Sequence, residues 1–276
     1  MTAPRFEAPG PATLAAALAM LLALAFVRCG PPQPGVTTPA SSVAAPVAAT
    51  TTAGPPTAPS SAPSTPPSAE PPAPAAPEPK RPVVVAALGD SLTDAKSGGG
   101  KYLDYLAKRC PESRIDNYGK GGDMVNQMRK RFERDVLTSG TAYTHLILFG
   151  GVNDLYSDLT AGRTPAKIEA DLAAIYQAAR ARGWKVVALT VAPWGGFTKY
   201  YNDKRAAATK ELNTWIRAQL TEAKISAVVD AFALLDCKDK LCPEYAGTLR
   251  DGLHFGPAGH EKLGAALHEQ VFASCR

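Results

Sequence analysis

From residue 83 to the C-terminus, short apolar runs alternate with stretches of helical spacing, and this alternation restricts the fold more than any other feature. The runs at 83–88, 115–118, 145–149, 185–191 and 225–230 are bounded by Gly, Asn, Asp or Pro, as buried parallel strands are. Helical spacing fills 101–109, 124–137, 165–182 and 204–224. Within the last of these, Leu212, Trp215, Ile216 and Leu220 fall on one face. A further helix is expected from Pro257, whose fixed φ suits a first turn, to about residue 273. Strands joined through helices form a parallel sheet that must be covered on both faces. The expected architecture is α/β: a three-layer α/β/α sandwich around a parallel five-stranded sheet.

The chain before residue 83 is a different kind of polymer. Of the 25 prolines, 17 lie within 31–82, a segment built almost wholly of Ala, Pro, Thr and Ser. Without apolar periodicity it cannot repay the entropy of ordering, so residues 30–82 are expected to be a disordered linker, either a tether or a plain spacer. Ahead of it, Arg5 precedes an apolar run, 12–27, in which only Thr13 is polar. That is the layout of an export signal over residues 1–29, and it falls short of the ~20 residues a spanning helix needs. Cys29 stands where a lipoprotein cysteine would, yet Phe26-Val27-Arg28 departs from the small residues expected before one. A lipid-anchored and a freely secreted form therefore both stand. Either way the expected location is the cell envelope or beyond, with membrane contact only through a lipid on Cys29.

The expected domain, 83–276, holds Cys110, Cys237, Cys242 and Cys275. In an exported domain four cysteines imply two disulfides. Three pairings are open; Cys237 and Cys242 are close enough to clip a local loop, which would leave Cys110 to Cys275. Net charge is +5, with no basic block or stripe, which argues against nucleic acid as a partner. A monomer is expected.

Ligands of a parallel sheet sit beyond the carboxyl ends of its strands. The first expected strand runs into Gly89-Asp90-Ser91-Leu92-Thr93, and the second into Asn117-Tyr118-Gly119-Lys120-Gly121-Gly122-Asp123. The third is followed by Gly151-Val152-Asn153-Asp154, and Asp251-Gly252-Leu253-His254 stands before the last helix. Four blocks in this order, from about residue 83 to the C-terminus, resemble the SGNH/GDSL hydrolase family. The resemblance implies a flavodoxin-like SGNH hydrolase fold and hydrolysis of carboxylic esters through an acyl-enzyme, with no cofactor and no metal.

Each block then has a physical task. Ser91 is a weak nucleophile until a base takes its proton. His254 is of the residue type suited to that work, and Asp251 can accept from its Nδ1–H and stabilise the imidazolium. The resemblance makes the N–H of Ser91, the N–H of Gly122 and the side-chain amide of Asn153 the oxyanion donors. Asp154 is expected to order the Asn153 loop. Around Ser91 there is no Gly-x-Ser-x-Gly elbow, which separates the chain from α/β-hydrolases.

Two other patterns are set aside. Cys237-x₄-Cys242 with His254 and His260 approaches zinc spacing, but exported cysteines would have to stay reduced and His254 would be lost to Asp251. Ser97-Gly98-Gly99-Gly100-Lys101 approaches a phosphate loop, but Ala95 and Tyr102 replace required residues, so it reads as an entry to the next helix near the site mouth. His145 is expected to be a core or edge histidine, with His260 and His268 on the flanks of the last helix. Trp194 and Phe197, in the loop after the fourth strand, are candidate substrate-binding aromatics for a small-molecule, lipid or glycan ester. The alternatives are a non-catalytic glycan-binding module on the same fold, or acyl transfer to a sugar.

Overall fold

A computed structural model describes residues 80–276; the expected signal, Cys29 and nearly all of the expected linker lie outside the described residues. In chain order the elements are β1 (Val84–Gly89), α1 (Lys101–Arg109), β2 (Arg114–Gly119), α2 (Val125–Arg131), β3 (His145–Phe149), α3 (Val152–Tyr156), α4 (Pro165–Ala181), β4 (Lys185–Leu189), α5 (Asp203–Thr221), β5 (Ala227–Val229), α6 (Ala231–Leu235) and α7 (Pro257–Gln270). All five strands are parallel, in the order β2-β1-β3-β4-β5. The expected five strands and three layers are all present.

Alternation along the strands builds the layers. Ala86 and Leu88, Leu146 and Leu148, and Val186 and Ala188 face one side, under Met128 of α2, Ile168 and Ile175 of α4, and Leu212 and Ile216 of α5. Val85 and Ala87, Ile147 and Phe149, and Val187 and Leu189 face the other, under Tyr102 and Leu106 of α1 and Leu263 and Leu267 of α7. The edges differ from the centre: β2 is only half buried and β5 is three residues long, which is why polar Asp116 and Asn117 are tolerated in one and the expected 225–230 run shrinks in the other.

Local chemistry sets the helix starts. Thr164 and Asn202 accept the N–H of Lys167 and Arg205 at the heads of α4 and α5, and Asp230 accepts that of Ala233 at α6. Pro165 and Pro257 occupy first-turn positions. The expected helix at 124–137 is α2 followed by one wider turn over Phe132–Val136. Cys110 is bonded to Cys275 and Cys237 to Cys242, the pairing in which the short loop is clipped. Arg81 donates its N–H to Ser274 O at 2.9 Å, so the described chain begins and ends side by side. Among the described residues no helix is long and apolar enough to cross a membrane.

Candidate active site

The strand order reverses at β1: the chain steps to β2 on one side, then returns to β3 on the other. Such a switch point opens a crevice beyond the strand ends. Register brings Gly89 level with Gly119 and with Phe149, so the segments after β1, β2 and β3 leave the sheet together.

After β1 the chain folds into one tight turn. Asp90 O accepts the N–H of Thr93 and Asp94, and Asp90 Oδ1 accepts that of Leu92 at 2.9 Å. The N–H of Ser91 has no protein acceptor among the described residues. Gly122 is left-handed, φ +79, and its N–H is likewise unspent. Asn153, buried at the head of α3, gives one amide hydrogen to Asp123 O at 2.9 Å and keeps the other.

Buried arginines lock these segments together. Arg131 Nε donates to Asp123 Oδ2 at 2.5 Å, while its other nitrogens donate to Tyr118 O at 2.8 Å and Gly89 O at 3.2 Å. Asp154 accepts from the Val125 N–H at 2.9 Å and from Arg163 Nε at 2.6 Å, and Arg163 also reaches Asp171 at 2.7 Å. Asp154 thus orders the Asn153 loop, as expected. The sequence marks neither arginine as buried: Arg131 falls in a helical stretch and Arg163 in the loop before α4, and in both places an arginine reads as surface.

His254 closes the constellation from the far side. Its Nε2 lies 2.9 Å from Ser91 Oγ, and its Nδ1 lies 2.6 Å from Asp251 Oδ2. Asp251 Oδ1 accepts the N–H of Leu253 and of His254, both at 2.9 Å, so the carboxylate cannot swing away. Partial burial pushes the Asp251 carboxyl up, but the imidazole and these two N–H groups outweigh it and hold it below the usual carboxylate range. Ser91, His254 and Asp251 therefore form one continuous hydrogen-bonded line, from residues 163 positions apart.

A cleft of about 180 Å³ opens on Ser91 and His254, lined by Ser97, Lys101, Thr248, Leu249, Phe255 and His260. The Gly-rich entry to α1 is at the site mouth, as its reading anticipated. Three expectations are corrected. Trp194 is wholly buried, its Nε1–H donating to Thr209 Oγ1 at 2.9 Å, and Phe197 packs against Tyr156 and Tyr200; neither lines the cleft. Their apolar mass serves the core, and sequence does not distinguish an aromatic loop that packs inward from one that faces a ligand. His260 is not on a flank but buried, lying parallel to Tyr102 and edge-on to Phe255. Burial first, then the proximity of Lys101 and of His254, push it down to about 4, which leaves it neutral at neutral pH. His145 is a core histidine as read, pushed down to about 4 by burial and the Lys185 charge. Cys237 and Cys242 are bonded to each other and His254 is held between Asp251 and Ser91, so the zinc-like spacing does not form a ligand set.

Fold and site together define a class: carboxylic ester hydrolases built on a flavodoxin-like sheet. The sequence profile of the GDSL-like Lipase/Acylhydrolase family matches residues 87–262, well over half of the chain, and the chain belongs to that family. Among solved structures it is similar to a lipase/acylhydrolase from Enterococcus faecalis, 22% identical with a TM-score of 0.58, over 70% of this chain and 97% of that one. A GDSL-like lipase from Bacteroides thetaiotaomicron is 20% identical, with a TM-score of 0.57 over 69% of this chain and 88% of that one. A variant of an acetyl-xylooligosaccharide esterase from Geobacillus is 20% identical, with a TM-score of 0.56 over 68% and 94%. At these identities the likeness is one of fold. No curated protein matches the chain.

Proposed function

We propose that the protein hydrolyses short-acyl esters, such as acetylated carbohydrates, through a covalent acyl-enzyme on Ser91. His254 takes the Ser91 proton as Oγ attacks the ester carbon and later delivers it to the leaving alcohol. Asp251 holds the imidazole in the tautomer that leaves Nε2 free to accept, and stabilises the imidazolium that forms. The N–H groups of Ser91 and Gly122 and the free amide hydrogen of Asn153 receive the developing oxyanion. Water then repeats the attack on the acyl-enzyme with His254 as base.

The observation that carries this reading is the unbroken line from Ser91 Oγ to His254 to Asp251, at 2.9 and 2.6 Å. The substrate class is supported by the cleft: about 180 Å³ is small beside the roughly 300 Å³ at which drug-sized sites begin, and its walls mix hydroxyls with a lysine. The solved neighbour described as an acetyl-xylooligosaccharide esterase acts on esters of this kind. The N-terminal apolar run and the two disulfides support action outside the cytoplasm. The test is an ester panel running from acetyl to long-chain, with wild type and Ser91→Ala. Acetyl esters should turn over fastest and Ser91→Ala should lower kcat by roughly 10⁶. Faster turnover of long-chain esters would overturn the substrate class, and an active Ser91→Ala would overturn the mechanism.

A further inference from the structure

The turn that carries Asp251 and His254 does not stand on a strand end; it lies beyond β5 and α6, on irregular chain. What meets it is another backbone. Gly252 has φ +77, and a Cβ placed on it would lie 2.0 Å from Gly196 C; one placed on Gly196 would lie 2.8 Å from Gly252 Cα. The neighbouring Gly195 donates its N–H to Asp239 O at 2.7 Å, and a Cβ there would fall 2.5 Å from that same oxygen. The contact runs unbroken from Asp239 through Gly195 and Gly196 to the Asp251 turn.

Asp239 itself sits in a tight hairpin turn. Cys237 N–H donates to Lys240 O at 2.7 Å, and Asp236 pairs antiparallel with Leu241. Lys238 and Asp239 are both left-handed, with φ of 61 and 63. Two successive left-handed residues are what a type I′ turn requires, and Asn-Gly takes that shape readily; lysine and aspartate do so under strain. Such strain persists only where the surroundings over-determine it. Here the Cys237–Cys242 bond spans the turn.

We propose that the Cys237–Cys242 clip is a positioning device for the acid–base arm: it holds the strained turn, the turn presents Asp239 O to Gly195, and the Gly195-Gly196 backbone sets the place of Asp251 and so of His254. The proposal rests on the triad reading above. It also gives the loop of Trp194 and Phe197 a task other than substrate binding, with Trp194 anchored in the core while the two glycines after it press on the Asp251 turn.

The test is Cys237→Ser/Cys242→Ser, assayed on an activated acetyl ester across the acid limb of the pH profile. A displaced carboxylate slows the chemical step, so kcat should fall about 10- to 100-fold with KM unchanged. It also stabilises the imidazolium less, so the acid limb should move to lower pH. A purely structural clip would lower Tm and leave both untouched. Adding Lys238→Asn/Asp239→Gly to the double variant should restore kcat, because that pair adopts the turn unaided. Gly195→Ala, with both disulfides intact, should reproduce the fall in kcat and the shifted limb. Wild-type kcat and acid limb in the clip-less protein would overturn the proposal; if that protein does not fold, wild-type behaviour of Gly195→Ala overturns it. Turnover by Ser91→Ala would strike the triad reading itself, whereas normal kinetics in the clip variants beside an inactive Ser91→Ala would strike this proposal alone.

Discussion

The two halves of the site are fastened in different ways. Ser91, the Gly122 turn and Asn153 follow β1, β2 and β3, whose last residues stand in register, and buried side chains of Arg131 and Arg163 stitch them together. Asp251 and His254 sit on irregular chain, and what reaches them is loop backbone: Gly196 against Gly252 and the Asp239 turn behind. A sheet edge supplies position at no further expense, because the strand register has already fixed it. A loop must acquire its position from close contacts: here Gly196 presses on Gly252, whereas buried ion pairs tie the segments of the first half.

This contrast can be broken from either side. The largest effect is expected from Asp251→Asn, which keeps the shape of the turn but offers the imidazole the wrong tautomer: kcat should fall by about 10⁴ while Tm barely moves. A large loss of Tm would mean the acid–base half is also held by its side chains. Next comes Arg131→Met, which strands the buried Asp123 carboxylate without its partner; urea unfolding should show a loss of about 3–5 kcal/mol. Unchanged stability would remove the claim that ion pairs fasten the nucleophile half. Asn153→Ala should lower kcat by about 10²–10³, since one oxyanion donor is lost and two remain. An effect below tenfold would show that its amide does not meet the oxyanion.

The smallest effect concerns Asp90, which is wholly buried, with Oδ2 unpartnered. Burial, opposed by the Leu92 N–H and reinforced by the charges of Asp154 and Asp123, pushes its carboxyl up to about 7. Between its unfolded value of 3.8 and about 7 the folded chain therefore holds a proton that the unfolded chain has released, and stability falls as pH rises through that window. Asp90→Asn cannot ionise, so its Tm should gain on wild type as pH approaches neutrality. Parallel Tm curves for the two proteins would contradict the assignment.

Much of this is legible in the sequence alone. Apolar runs and helical spacing yielded the five strands and the main helices, because both follow from burial periodicity that neighbours in sequence display. Strand ends and a family resemblance mark the blocks of Ser91, Asp251 and His254, which the structure joins in one hydrogen-bonded line. What escaped notice depends on long-range packing. The short helices α3 and α6 span one turn or so and carry no period. Arg131 and Arg163 look like surface residues until their carboxylates are placed beside them. Trp194 looks like a ligand platform until Thr209 is found at its indole nitrogen. The Gly-rich entry to α1 is legible as one cleft wall, but Thr248 and Leu249 come from a loop that no local pattern places there.

In the proposed function, Ser91 Oγ is a nucleophile made reactive by His254 and Asp251. A fluorophosphonate followed by intact-mass and peptide analysis tests it most directly. Wild type should gain a single adduct on Ser91, and His254→Ala should label far more slowly. Folded wild type that takes no adduct, or that carries it on another residue, would contradict the account.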